Sequence, residues 1–208
     1  MATSTAQFIT KDPAKADGEE SAYQYCGGDP VGKVDPSGEV SEVLLSVASV
    51  DAKSCCWSGA AKCIIKRVTG RAVSEVDLVK HAHGYYDPVW NKRGATTPTV
   101  QRVLSEYGVH SDMKSRALTF TEVKNQVNTG HAMYAGLSAG THGHAVVVYG
   151  FRDEPVAAKD RVYFMDPAGG DYIWTNYYKF TNVYSKWRRD PSGRAWRWTD
   201  SLLATRKK

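Results

Sequence analysis

The sequence predicts an α+β fold, with helices in the first part of the chain and an antiparallel sheet in the second. Two observations support this class. Apolar residues recur at helical spacing between Cys55 and Val127, whereas short apolar or alternating runs separated by turn signals follow from His131 onward. The 208 residues, 42% of them hydrophobic, suffice for one sizeable domain with an appendage. We therefore expect an appendage over residues 1–40 and the main domain over residues 41–208.

The first predicted helix runs from Cys55 to Val68, after Ser54 as a helix-capping residue, and ends at Gly70. Thr119 followed by Glu122 matches the capping-box pattern, in which each residue satisfies a backbone N–H of the other. The later predicted helices are Ser74–His81, Pro98–Tyr107 and Thr119–Val127.

The second part of the chain alternates apolar runs with turn residues, which predicts strands. The turns are expected at Ser138–Gly140, Asp153–Pro155 and Gly169–Gly170. The predicted strands are His131–Leu137, His144–Phe151, Arg161–Asp166, Tyr172–Phe180 and Ala195–Thr199.

Three residues in these elements carry the chemistry of a thiol enzyme. Cys56 is predicted in the first turn of a helix, where free backbone N–H groups and the helix dipole favour a thiolate. His144 heads the apolar strand Ala145–Tyr149, and Asp166 ends the next strand before Pro167. A thiolate becomes a catalyst when a base lies beside it and a third group orients that base. We predict Cys56, His144 and Asp166 as the catalytic residues.

The order of these motifs resembles the papain-like cysteine peptidases, over roughly Ser41 to Tyr178. The pattern Cys-Trp-x-x-Ala, Gly-His-Ala and strand-Asp-Pro is most similar to the bacterial branch, which includes leader peptidases of bacteriocin exporters and secreted effector proteases. The resemblance implies a helical half that carries the cysteine, a β half that carries the histidine and the acid, and a site in the cleft between them. It also implies one oxyanion-hole donor from the Cys56 N–H.

Each catalytic assignment has a competitor in the sequence. Cys55 is one residue off the family register, and His142 falls in a predicted turn before the strand. Asp166 before Pro167 is also typical of a residue that starts a turn. The family usually places a glutamine shortly before the cysteine as second oxyanion donor, but no glutamine lies between Gln24 and Gln101. Lys53, Ser54 or a backbone amide remain as substitutes.

Residues 1–40 are polar and rich in Gly, Pro and Asp, with Phe8–Pro13, Tyr23–Tyr25 and two Asp-Pro-x-Gly-like turns beginning at Asp29 and Asp35. This spacing resembles the end of the core of RHS/YD-repeat proteins, which form a shell followed by a variable toxin domain. Glu39 follows the last motif where self-cleaving members carry an apolar residue, so removal of residues 1–40 stays open. Asp29 and Asp35 are interpreted as turn residues rather than acids of self-cleavage.

Charge and cysteine content exclude several function classes. The four cysteines include adjacent Cys55 and Cys56 and no second cluster, which disfavours a disulfide framework and a zinc site. His81 and His83, in a predicted loop with Tyr85, Tyr86 and Trp90, lack further ligands, so neither metal nor cofactor is expected. The net charge of +5 is concentrated late, around Lys186–Arg189. We interpret this as a solvated basic surface, without nucleic-acid binding or membrane insertion.

We therefore expect the toxin domain of an RHS protein, which is delivered into the cytoplasm of a target cell and cleaves a protein there. The expected partners are that protein substrate, a cognate immunity protein and the rest of the RHS shell. A glutamine deamidase or acyl transferase with the same three residues is the first alternative. A binding module with a degenerate triad is the second.

Overall fold

A seven-stranded sheet, antiparallel throughout, organises the fold. The computed structural model describes residues 41–47, 55–86, 94–140, 142–154, 156–182 and 195–206. Six strands follow the order β2-β7-β3-β4-β5-β6, and β1 pairs with β4 beyond the end of β3. The strands are β1 Ser41–Leu44, β2 Val109–Lys114, β3 Met133–Ala139, β4 His142–Asp153, β5 Arg161–Asp166, β6 Asp171–Asn176 and β7 Arg197–Arg206.

Helices cover both faces of the sheet. The helices are α1 Cys56–Thr69, α2 Glu75–His83, α3 Thr97–Glu106, α4 Phe120–Asn128 and α5 Tyr177–Asn182, with a short 3-10 helix at Ala157–Lys159. The first three pack against one face, where Ile64 of α1 and Leu104 of α3 share a core with Val147 and Leu202. On the other face, α4 and α5 cover a second core that contains Phe164 and the strand β7 residue Trp198. The α+β prediction is confirmed, although α4 lies on the opposite face of the sheet from α1, α2 and α3.

The helix ends follow from local chemistry. The capping box is present, since Thr119 Oγ1 accepts a hydrogen bond from Glu122 N and Glu122 Oε2 accepts one from Thr119 N. Gly70 ends α1 in the left-handed conformation, at φ 75°, as the sequence predicts. The first helix begins one residue later than expected. Its N-cap position is Cys55, whose carbonyl oxygen accepts the first intrahelical bonds, and the predicted cap Ser54 lies outside the described residues.

The prediction of one strand over Tyr172–Phe180 is wrong. Strand β6 ends at Asn176, because the Asn176 Nδ2 group donates to the carbonyl oxygens of Ala158 and Asp160 at 2.6 and 3.2 Å. The Asn176 Oδ1 atom accepts a hydrogen bond from Lys179 N at 3.2 Å, which caps the first turn of α5. The side chain of Asn176 thus turns the chain from strand to helix.

Other predictions differ in their bounds. Helix α2 extends beyond its predicted end at His81, so His83 lies in the helix rather than in a loop, because the helix continues until the Gly84 N–H bonds to the Lys80 carbonyl. His142, predicted in a turn, begins β4 and pairs with Ala139. The sequence interpretation missed β1 and β2 and shortened β7. The predictions for residues 1–40, Lys53, Trp90 and Lys186–Arg189 lie outside the described residues.

Within the part of the chain that the structure describes, no helix has the length and apolar character needed to cross a membrane.

Gly150 lets β1 lie close against β4, which generates a stability prediction. A Cβ atom at Gly150 would lie 2.7 Å from the carbonyl oxygen of Val43 and 3.3 Å from the Cα of Leu44. We expect Gly150→Ala to lower the free energy of unfolding by about 1–3 kcal/mol, measured by urea denaturation. The matched control is Gly143→Ala, whose Cβ would meet only the Leu137 carbonyl oxygen at 4.0 Å. Equal stability of the two variants would contradict the packing argument.

Candidate active site

Cys56 is held at the edge of the core by the burial of the helix that it begins. Helix α1 packs against β4, and Trp57, Ala60 and Ala61 directly after the cysteine are buried. The small side chains of Ala60 and Ala61 let the helix approach the sheet closely. Cys56 itself is only partly buried and is the first residue of α1, so it lies in the first turn of the helix as the sequence predicts. Its side chain therefore lies at the positive end of the helix dipole and within reach of solvent.

The neighbouring Cys55 lies in a different environment. Its side chain is 8% exposed and belongs to the core on the α1 side of the sheet. Burial raises the pKa of the Cys55 thiol to about 11, so the thiol stays protonated at neutral pH. Cys63, in the middle of α1, is completely buried. Among the described cysteines, Cys56 is thus the one whose surroundings suit a nucleophile.

His144 and Asp166 lie side by side on the neighbouring strands β4 and β5. The distance between His144 Nε2 and Asp166 Oδ1 is 2.9 Å. The same Oδ1 atom accepts a hydrogen bond from the N–H of Ala168 at 2.9 Å, which fixes the carboxylate in the turn after β5. Both side chains are well buried, at 15% and 11% exposure, so solvent screens their interaction little. Asp166 therefore holds the Nε2 proton and the ring orientation of His144.

The thiol of Cys56 is the second partner of His144. Because Asp166 occupies Nε2, Nδ1 is the ring nitrogen that remains for the Cys56 side chain. Burial by itself lowers the pKa of His144, but hydrogen bonds and charge from Asp166 and Cys56 outweigh it and raise the pKa to about 9. The arrangement thus favours an imidazolium at neutral pH.

An aromatic residue lies beside the His144 ring. The rings of His144 and Trp196 are tilted by 52°, with their centroids 5.7 Å apart. Trp196 is itself buried, in the core on the α4 side of the sheet. The indole ring therefore keeps water away from one side of the imidazole, which strengthens the electrostatic interactions there.

A cleft of about 460 Å³ opens next to Cys56 and His144. The residues before and at the start of α3, including Thr96 and Pro98, form one part of its lining. The start of α1, the end of β2 and the strands β3, β4 and β7 contribute the rest. The cleft is large enough for a few residues of an extended peptide. The complete lining is Cys56, Trp57, Gly94–Pro98, Met113, Ser115, Tyr134, Gly136–Ser138, Gly143–Ala145, Thr199 and Asp200.

The structure brings Cys56, His144 and Asp166 together, as the sequence predicts, and leaves the competing residues outside. His142 is exposed and does not line the cleft. His81 lies in α2, where its Nδ1 atom is 2.6 Å from Oε2 of Glu106. In the described ranges, no group of three or more His, Cys, Asp and Glu residues is arranged to hold a metal ion.

The comparison with protein families decides the class of this site. Residues 48–191 match the model of the Peptidase_C39 like family. The chain belongs to this family. The predicted cysteine peptidase is thereby confirmed as the enzyme class, and the papain-like fold agrees with solved C39 peptidase domains. No curated protein is similar enough in sequence to match the chain.

The comparison with solved structures finds similarity at low sequence identity. The peptidase domain of Streptococcus ComA, a bi-functional ABC transporter involved in a quorum sensing pathway, has a TM-score of 0.52 and 12% identity. That similarity covers 78% of this chain and 98% of the ComA domain. A double glycine motif protease from an AMS/PCAT transporter, solved in complex with the leader peptide, has a TM-score of 0.48 and 13% identity. That similarity covers 79% of this chain and 94% of the protease chain. UfSP from C. elegans has a TM-score of 0.47 and 11% identity. That similarity covers 83% of this chain and 35% of the UfSP chain.

The sequence interpretation missed Trp196 and the two β7 residues of the cleft, Thr199 and Asp200. A signal for Asp200 exists, because it lies in phase with the buried Leu202 and Ala204 along the strand. An acid in that register is unusual on a face that otherwise packs in a core. Trp196 gives no comparable signal, since its position depends on a pairing between distant segments.

The geometry predicts the titration of His144. We expect Asp166→Asn to lower the pKa of His144 clearly below 9, because the charge and the main hydrogen bond that raise it are removed. NMR titration of the imidazole resonances measures this shift. The pKa of His144 in the folded protein exceeds the reference value of 6.5 that applies to the unfolded chain. The contribution of His144 to the free energy of unfolding is therefore complete below pH 6.5 and is lost as pH rises through about 9.

The control for this titration is Asp112→Asn, which changes an exposed acid on β2, a strand that does not pair with β4 or β5. It should leave the His144 pKa near 9. An unchanged His144 pKa in Asp166→Asn would show that the contact does not hold the imidazolium.

Proposed function

We propose that this enzyme is the toxin domain of an RHS-type protein and that it cleaves a target-cell protein through Cys56, His144 and Asp166. One observation carries the catalytic part of the proposal: Asp166 holds His144 at 2.9 Å, while the same imidazole meets the side chain of Cys56 at the start of α1. The match to the Peptidase_C39 like family supports the thiol mechanism. The toxin role is supported by the RHS-like motifs of residues 1–40.

The first half of the reaction follows from the positions of these groups. The Cys56 sulfur attacks the carbonyl carbon of the scissile amide, and the electron pair of the C=O bond moves to oxygen. The N–H of Cys56 is one donor for this oxyanion, a kind of contact worth about 10²–10³-fold in rate. His144 then donates its Nδ1 proton to the leaving nitrogen, the C–N bond breaks, and a thioester remains on Cys56.

Water completes the cycle. His144, now neutral, removes a proton from the attacking water, and the thioester carbon–sulfur bond breaks. The acid product leaves, and the thiolate–imidazolium pair is restored. Asp166 stays ionised throughout and keeps the imidazole in one tautomer. Lys53 and Ser54, the substitutes considered for the second oxyanion donor, lie outside the described residues.

The biological setting extends the proposal. Delivery as part of a larger RHS shell brings the domain into the cytoplasm of a recipient cell, where a protein is the substrate. A cognate immunity protein in the producer keeps the same chemistry harmless there. A glutamine deamidase or acyl transferase uses the same thioester chemistry, so the products rather than the triad separate these reactions.

Replacement of the two adjacent cysteines tests the nucleophile. We expect Cys56→Ala to lower proteolysis by at least ~10³-fold and to abolish growth inhibition when the chain is expressed in the cytoplasm of bacteria or yeast. Cys55→Ala is the matched control and should keep most of the activity. Quantitative mass spectrometry of new protein termini in the expressing cells identifies cleavage.

Several outcomes would contradict the proposal. Killing that persists in Cys56→Ala would exclude the thiol mechanism. Killing that depends on Cys56 and produces no new termini, but a mass change of about one dalton at a glutamine, would replace proteolysis with deamidation. A Cys55-dependent activity would move the nucleophile by one residue.

The pH dependence of cleavage tests the role of His144. Because its proton must reach the leaving nitrogen, kcat/KM should fall as pH rises through about 9, the pKa to which Asp166 and Cys56 raise it. In Asp166→Asn this alkaline limb should move to lower pH. If kcat/KM falls at the same alkaline pH in the wild type and in Asp166→Asn, the titrating group is not His144.

A further inference from the structure

An irregularity in β7 places two consecutive side chains in the cleft. Gly136 of β3 pairs with Asp200, but the next β3 residue, Leu137, pairs with Trp198, so Thr199 is an extra residue on β7. Such a bulge re-aims the side chains around it. Trp198 is directed into the core on the α4 side, whereas Thr199 and Asp200 both line the cleft.

Close packing against Gly136 and a hydrogen bond from Thr199 position the Asp200 side chain. A Cβ atom at Gly136 would lie 3.2 Å from the Cβ of Asp200 and 3.5 Å from the Tyr134 ring, so only glycine fits at this point of the cleft floor without displacement. Thr199 Oγ1 lies 2.9 Å from Asp200 Oδ2 and can donate a hydrogen bond to it. The carboxylate is thereby oriented while remaining partly exposed.

Asp200 is the one acidic side chain among the described residues that line the cleft. The described lining contains no Lys or Arg, and its one basic group, the His144 imidazole, is already bonded to Asp166. Within the described ranges, no Lys or Arg forms an ion pair with Asp200. Cys56, Tyr134 and Asp200 all line this cleft, so the carboxylate lies in the same cleft as the nucleophile. Burial, together with the charges of Cys56 and Asp200, raises the pKa of the Tyr134 hydroxyl.

From these contacts we infer that Asp200 is a specificity residue that binds a lysine or arginine side chain of the substrate close to the scissile bond. The inference rests on the proposed protease function and narrows its substrate class to proteins with a basic residue near the cleavage site. A cation in the cleft makes a charge-assisted hydrogen bond with Asp200 in a site partly screened from water, which favours it over a neutral side chain of similar length.

The first experiment measures cleavage of a peptide library in which each position around the scissile bond is varied among Lys, Arg, Gln, Glu and norleucine. We expect one position where Lys or Arg raises kcat/KM by at least ~10-fold over Gln. In Asp200→Asn this preference should fall to about 2-fold or less, because the amide cannot pair with a cation. Asp171→Asn, which alters an exposed acid that does not line the cleft, should keep the preference. Cleavage without any basic preference, or a preference unchanged in Asp200→Asn, would overturn the inference.

A second experiment separates this inference from the proposed function, because it needs no peptide cleavage. Cationic aminoethyl methanethiosulfonate and anionic sulfonatoethyl methanethiosulfonate both form a mixed disulfide with a thiolate and release methanesulfinate. We expect the ratio of their rates at Cys56, resolved by peptide mass spectrometry, to fall several-fold in Asp200→Asn and to stay constant in Asp171→Asn. A ratio that does not depend on Asp200 overturns the inference. A dependent ratio in an enzyme that cleaves no peptide overturns the proteolysis and leaves the cationic subsite standing.

Discussion

The close packing of α1 against the sheet is the constraint on which the site depends. The small residues Gly59, Ala60 and Ala61 are buried at the start of the helix, and Trp57 fixes its first turn against α2 through an edge contact with His83. The packing of α1 against the sheet and against α2 sets both the depth and the rotation of the helix. As a result, Cys55 faces the core while Cys56 faces the cleft.

The charge arrangement depends in turn on that packing. A histidine as buried as His144 would ordinarily be neutral, since burial disfavours its charged form. Asp166 and Cys56 reverse this outcome, and both are held by backbone structure: the carboxylate by the Ala168 N–H and the thiol by the helix start. Trp196 limits the access of water to the ring. The site therefore keeps a charged imidazole beside the Cys56 side chain before any substrate arrives, which is the preorganisation that electrostatic catalysis requires.

Local patterns predicted much of this architecture. Helix ends depend on side-chain and backbone chemistry within a few residues, so the sequence predicts them directly. The structure has helix caps at the predicted residues Gly70, Ser74 and Thr119. The α+β class, the cysteine peptidase family and the meeting of Cys56, His144 and Asp166 agree with the sequence interpretation. What escaped prediction depends on distant pairing. Strand β2 shows only two buried residues, Val109 and Ser111, and the bulge that turns Asp200 into the cleft exists only between β3 and β7.

The central claim is that Cys56 is a nucleophile activated by His144, and site-resolved alkylation tests it most directly. The native protein is treated briefly with iodoacetamide, and the modified cysteines are quantified by peptide mass spectrometry in the wild type and in His144→Ala. The account predicts that Cys56 is modified well before Cys55 and Cys63, and that loss of His144 slows the reaction at Cys56 by about tenfold or more. Equal rates at Cys55 and Cys56, or a rate at Cys56 that does not depend on His144, would contradict it.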